Sequence, residues 1–168
     1  MSAPTPYRLL GSQEARVDDR GRVAIPAPMR EILLRMGDKE VVVNWAISDE
    51  SVWIMPHSTF DAIMENLSLA PADAGFDKSE THDLIIASTT VQELDGQGRI
   101  VIPAAARKWV GLTNAVTVQG AHDHIEIVDT DRHTARILAL RGKTDMRRFI
   151  SNSARGASFS SVRGGTPR

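Results

Sequence analysis

The chain has 168 residues, 42 % of them hydrophobic, a formal net charge of −1 and no cysteine. That length admits one ordinary domain or two small ones, and the apolar content is enough for a packed core. Disulfide frameworks, thiolate zinc sites and cysteine nucleophiles are excluded, which suits a reducing cytosol. The apolar runs, such as EVVVNWAI and DLIIA, are too short to span a bilayer. No basic-then-apolar leader stands before Gly11, so a soluble, unexported protein is expected.

Charge is unevenly spread. Residues 141–168 carry seven Lys/Arg against Asp145 alone, a balance of +6, which leaves the other 140 residues at −7. A body that acidic cannot bind polyanions indiscriminately; any nucleic-acid contact needs its cations gathered on one surface.

In chain order, QEARV (Gln13 to Val17) alternates like a strand and runs into Asp18-Asp19-Arg20-Gly21. Asp at the first place and Gly at the fourth favour a type I turn, hence a hairpin corner. The chain returns as RVAI, with β-branched Val23 and Ile25 on one face. Pro26 cannot donate to a ladder and suits a helix start. Met29, Ile32, Leu33 and Met36 then recur at helical spacing up to Gly37. EVVVNWAI and VWIM read as strands around the turn Ser48–Ser51, and Ser58 as the N-cap of a helix carrying Phe60, Ile63, Met64 and Leu67. Leu69 to Glu80 is small and polar, a linker.

A short helix around HDLIIAS leads into TVQEL, the turn Asp95–Gly98, RIVI, a helix from Ala104 to about Val110, the strands AVTVQG and HIEIV, and a closing helix, DTDRHTARILALR. From Gly142 on, Ser, Gly and Arg dominate, so a mostly disordered basic tail is expected.

The order is the same twice. VDDRGRVAIPAPMR from Val17 and LDGQGRIVIPAAAR from Leu94 share seven identities in fourteen positions without a gap. At residue frequencies of roughly 5–7 % each, chance supplies about one. Each copy, roughly 60 residues of strand-rich chain, is small for a self-sufficient core, so the copies or several chains should pack together.

The repeated pattern D-x-x-G-R-x-x-I-P-x-x-x-R resembles the MraZ family of bacterial transcriptional regulators, over about Tyr7 to His133. The Leu-Gly lead before QEARV matches that family's opening. The resemblance implies an α+β fold of tandem duplicated β-α-β AbrB-like modules (swapped-hairpin, double-psi-like barrels) with flanking helices. Module 1 would cover 7–68, the linker 69–80, module 2 81–141 and the tail 142–168. It further implies a cytoplasmic, nucleoid-associated protein that forms ring-shaped homo-oligomers. Such proteins bind short G-rich direct repeats in the promoter of their own cell-division and cell-wall gene cluster, usually repressing it. The family turn is D-x-K-G-R. Arg20 stands at its Lys position and keeps the charge, whereas the second copy has Gln97 there and a smaller PAAAR segment.

A hairpin corner pushes side chains beyond the sheet, and a guanidinium fork matches O6 and N7 of guanine, each good pair worth roughly 1–3 kcal/mol of discrimination. Arg20, Arg22 and Arg99 are therefore the expected DNA contacts, with Arg16 adding a phosphate contact. The alternative is that Asp18/Arg22 and Asp95/Arg99 are pairs that merely fix the corners. Asp18, Gly21, Asp95, Gly98, Pro26 and Pro103 are expected to build the motif. Arg30 and Arg107, a turn into their helices, are expected to pair with carboxylates within or between subunits.

Other motifs fail. DGQGRIV has a G-x-G but leads into a strand, and RGKT (Arg141–Thr144) lacks the P-loop's first Gly, Ile137 standing in its place. His122 and His124 read as a surface His-x-His on one strand face. Trp45, Trp53 and Trp109 read as core or interface anchors. No catalytic group, metal, cofactor or small-molecule substrate is called for. The expected partners are double-stranded promoter DNA and further copies of the chain. Against this stand a partner-binding, antitoxin-type module and, more remotely, a metal-dependent hydrolase, for which the histidines are too scattered.

Overall fold

The computed structural model describes residues 8–37, 39–71, 77–143, 146–151 and 153. In chain order the elements are β1 (Ser12–Arg16), β2 (Arg22–Ala24), α1 (Ala27–Met36), β3 (Glu40–Asn44), β4 (Ser51–Met55), α2 (His57–Leu69), α3 (Lys78–Ala87), β5 (Thr89–Glu93), β6 (Arg99–Val101), α4 (Ala104–Trp109), β7 (Ala115–Gly120), β8 (Ile125–Asp129) and α5 (Thr130–Arg141). The chain is α+β, and every strand pairing is antiparallel.

Six strands form one sheet in the order β1-β7-β8-β4-β3-β5, and β2 and β6 form a separate ribbon. The order carries the duplication. The first strand of each copy leaves its own hairpin and pairs with the other's: β1 lies on β7, and β5 on β3. In the ribbon, Val23 faces Ile100, its own counterpart 77 positions on, flanked by Arg22 opposite Val101 and Ala24 opposite Arg99. The β4–β8 pairing closes the sheet between the copies. Neither copy holds a complete sheet of its own, which is how two short, strand-rich halves share one core.

That core lies between the ribbon and one face of the sheet. Val41 and Val43, Val52 and Ile54, Val116 and Val118, and Ile125 and Ile127 alternate inward from the four central strands. Val23, Ile25, Ile100 and Ile102 meet them from the ribbon and its continuations, and Met29 and Leu33 from α1, Ala106 and Val110 from α4 fill the ends. Both helices begin behind a proline N-cap, Pro26 or Pro103, whose φ near −53° or −52° suits a helix start. Of the small PAAAR segment Ala106 is buried, with Val110 just beyond it, while Ala104 and Ala105 are exposed. Gly111, at φ +64°, follows Val110, so α4 has six residues against ten in α1.

Departures from the sequence reading have local causes. EVVVNWAI ends as a strand at Asn44, because that fully buried side chain accepts from the Ala46 and Ile47 amides and curls the chain away. Its amide donates to the Ile85 carbonyl and Thr89 Oγ1, tying the first copy to the start of the second. The cap of α2 is Pro56; Ser58 already lies inside the helix. Lys78–Glu80, placed in the linker, open α3 behind Asp77, whose carboxylate accepts from the Ser79 and Glu80 amides. Positions 72–76 of that linker lie outside the described residues.

The chain divides into two compact units, Met1–Asp131 and Arg132–Arg168. Within the second, most of α5 is followed by residues 146–151, helical where the Ser/Gly/Arg-rich composition suggested disorder. Met146, Phe149 and Ile150 give that segment an apolar stripe at i, i+3 and i+4. Positions 144–145, 152 and 154–168 of the expected tail lie outside the described residues.

Candidate nucleic-acid interface

The two corners have nearly identical wiring. In the first, the Gly21 amide donates to the Asp18 carbonyl at 2.8 Å, and Asp18 Oδ1 accepts from the Arg20 and Arg22 amides, each at 2.9 Å. Asp18 Oδ2 takes Arg22 Nε at 2.8 Å and Nη2 at 2.7 Å. In the second, Gly98 donates to the Asp95 carbonyl, Asp95 Oδ1 accepts from the Gln97 and Arg99 amides, and Oδ2 binds Arg99 Nε at 2.7 Å. Gly21 and Gly98 close the corners at φ +76° and +73°, a region that penalises any side chain. The Arg22 side chain, helped by its own amide, holds the Asp18 carboxyl down to about 2. The Arg99 amide and side chain lower that of Asp95 in the same way, against partial desolvation.

Arg22 and Arg99 therefore do not swing freely. Each is anchored by one edge of its guanidinium, and about a quarter of each side chain remains exposed. They share the outer face of the ribbon with exposed Ala24 and Val101, while Val23 and Ile100 point into the core. Gln92 bonds both peptide groups of Val101, Nε2 to the carbonyl at 3.0 Å and Oε1 from the amide at 3.3 Å, and so covers the outer edge of β6. Its counterpart in the first copy is Ala15, which can do neither. The surroundings differ in charge as well. Exposed Arg16 and Arg20 accompany the first corner, Glu93 and Gln97 the second.

Arg30 and Arg107 have no carboxylate partner among the described residues. Each instead crosses to the other copy's corner. Arg30 Nη1 donates to the Gln97 carbonyl at 3.5 Å and covers Gly98, where a Cβ would collide with the guanidinium. Arg107 covers Gly21, where a Cβ would lie 3.3 Å from its Nη2. The cause is local: a helical side chain leans towards the helix N-terminus, back over Pro26 or Pro103. The residues before those prolines are bonded to the opposite corners, Ile25 N–H to the Gly98 carbonyl and Ile102 N–H to that of Gly21.

The histidine pair is not a surface strand motif. His122 sits before β8 with φ +74° and bridges Leu9. His124 is buried, stacked on Trp53 with ring centroids 3.7 Å apart, its Nδ1 2.7 Å from Asp123 and its Nε2 3.3 Å from Glu126. Only the adjacent acidic residues signalled this in the sequence. Trp45 is a core residue, but Trp109 is 53 % exposed and is not. No group of three or more His, Cys, Asp or Glu side chains among the described residues could hold a metal. No described helix is long and apolar enough to cross a membrane.

Fold and site together define a class: an internally duplicated α+β protein whose copies exchange strands and display two Asp-locked arginines on one ribbon face. Its relatives narrow the class. A family model described as "MraZ protein, putative antitoxin-like" matches residues 85–136, most of the second copy. The chain is 33 % identical over 126 residues to a protein of Frankia alni named transcriptional regulator MraZ, covering 75 % of this chain and 84 % of that one. Proteins of the same name from Thermomicrobium roseum and Mycobacterium ulcerans are 32 % and 34 % identical over 145 and 120 residues, covering 84 % and 71 % of this chain and 97 % and 80 % of theirs. The chain belongs to the MraZ family.

Proposed function

We propose that the protein is a sequence-specific, double-stranded-DNA-binding transcriptional regulator and not an enzyme. The observation that carries this reading is the pair Arg22/Arg99 on the exposed face of a two-stranded ribbon, each held by its own aspartate. A β-ribbon fits the major groove, where a pre-oriented guanidinium can pair with guanine O6 and N7. Exposed Arg20 and Arg16 beside the first corner add charge for neighbouring phosphates. On this reading each copy is an AbrB-like swapped-hairpin module. The family names of the relatives support regulation of transcription, and the family resemblance supplies the target: short G-rich direct repeats in the promoter of its own cell-division and cell-wall gene cluster, with repression as the outcome. A single chain offers few base contacts. A ring of copies on repeated sites makes later contacts intramolecular and raises avidity by roughly 10²–10⁴-fold. The site of action is the cytoplasm, on the nucleoid.

The test is a gel shift on DNA directly upstream of its own gene with wild type and the Arg22→Ala/Arg99→Ala double variant. Loss of the shifted band in the double variant is expected, and full binding by it would remove the assignment. Exposed Trp109 favours a second reading, an antitoxin-type module that holds a protein partner. Failure of the wild type to bind its upstream DNA would bring that reading forward.

A further inference from the structure

The corners that the proposed function uses are not independent, and their coupling runs through two arginines outside the set that reads DNA. Arg107 belongs to the second copy but lies over the peptide of Gly21 in the first, and its Nε is buried with no hydrogen-bond partner among the described residues. Around the second corner, Arg30 crosses in the mirrored sense and borders an open cavity of about 320 Å³ lined also by Leu34, Lys39, Glu93 and Gly96. The counterparts of Leu34 and Gly96 in the other copy are Gly111 and Asp19, so the two clamps differ through their neighbours.

We infer that Arg107 is a positioning residue for the first corner, holding Asp18–Arg22 in its binding geometry from the opposite copy, and that Arg30 does the same for the second. This rests on the proposed DNA-binding reading. A guanidinium with a buried Nε, set where a Gly21 Cβ would meet its Nη2 at 3.3 Å, restricts the turn from which Arg20 and Arg22 project. Because the first corner also carries Arg16 and Arg20, whereas the second carries Glu93 and Gln97, the cross-copy contact of Arg107 supports the more cationic corner. The strand exchange thus has a functional consequence: damage to the second copy's helix is felt at the first copy's DNA-contacting arginines.

The experiment measures affinity for a duplex spanning the region directly upstream of the gene, using full-length chains whose folding at the assay temperature is verified by circular dichroism. The variants are Arg107→Met, Arg107→Lys, Arg30→Met and Arg22→Ala, each titrated against salt. Arg107→Met is expected to lose about tenfold or more, since a displacement of ~1 Å at a positioned group can cost about 10²-fold. Its slope of log K against log salt should stay at the wild-type value, because Arg107 neutralises no phosphate. Arg107→Lys should not restore binding, since the charge returns without the planar fork. Arg30→Met should lose less than Arg107→Met.

Wild-type affinity in Arg107→Met alongside weakened Arg22→Ala overturns the inference but leaves the DNA-binding reading standing. So does rescue by Arg107→Lys, or a slope reduced in magnitude by about 0.9, either of which would make Arg107 a direct phosphate contact. Full binding by Arg22→Ala would overturn the inference and the assignment of the first corner as a DNA contact, and failure of the wild type to bind would remove the DNA-binding reading itself. Should Arg107→Met not fold, the lysine variant carries the test.

Discussion

At the scale of single residues, the corner carboxylates make the fold sensitive to acid in a defined window. Asp18 titrates near 3.8 in an unfolded chain and about 2 in the folded one, with the Arg22 guanidinium the largest cause. A depressed folded value means the stabilisation is present above 3.8 and is lost as pH falls through about 2. Asp18→Asn should therefore flatten the pH dependence of the thermal midpoint between those values, as followed by circular dichroism. His124 works in the opposite sense. Burial disfavours its cation, but the Glu126 and Asp123 carboxylates outweigh that and raise its pKa above 6.5. Both ring nitrogens face carboxylate oxygens, and only an imidazolium can donate from both. The stabilisation is then complete below 6.5 and lost as pH rises through the folded value, so the midpoint should fall on the alkaline side of 6.5. In His124→Gln that decline should vanish; its persistence would place the titration elsewhere.

At the scale of elements, the sequence was readable where local chemistry decides. The Asp-x-x-Gly corners, the proline-led helices α1 and α4, and the alternation of β7 and β8 follow from turn preference, φ restriction and period. What stayed hidden depends on contacts between segments distant in sequence. Asn44 reads as one more strand residue until its bonds to Ile85 and Thr89 are known. Arg30 and Arg107 read as partners of carboxylates because nothing in IPAPMR or IPAAAR says that the opposite corner lies over the helix start. The DNA-contact candidates were identifiable from their place on the corners, but their mutual placement on one ribbon face required the β2–β6 register.

Gly120 is a further case. It reads as an ordinary strand end, yet the Leu9–Leu10 backbone passes so close that a Cβ there would stand 2.5 Å from Leu9 C and Leu10 N. Backbone cannot yield as a flexible side chain can. Gly120→Ala should displace the Leu9–His122 bridge and expose Leu9, which is fully buried. Overpacking of this kind costs about 1–3 kcal/mol, and losing the burial of one leucine about 1.5–3 kcal/mol. Urea denaturation should show a lowered midpoint. An unchanged midpoint would mean that the N-terminal segment contributes little.

For the molecule as a whole, the exchange of strands makes a strong statement about folding. A chain cut between positions 71 and 77 would give two fragments, each with one corner, one ribbon strand and one hairpin. Each would lack the strand that completes its sheet edge, because β1 belongs on β7 and β5 on β3. The ribbon would be halved, and Val23 and Ile100, both buried against the shared core, would lose each other as register partners. Each fragment alone should therefore show weak far-UV circular dichroism and no cooperative thermal transition at low concentration, as befits a half-sized core. Mixed in equal amounts, the fragments should recover the native spectrum and a cooperative melt whose midpoint rises with concentration, since folding has become association. The duplication leaves one other route: two identical fragments can exchange strands with each other, giving a concentration-dependent homodimer. A fragment that melts cooperatively as a monomer would contradict the exchange itself, and with it the reason that the two corners are held across the copies.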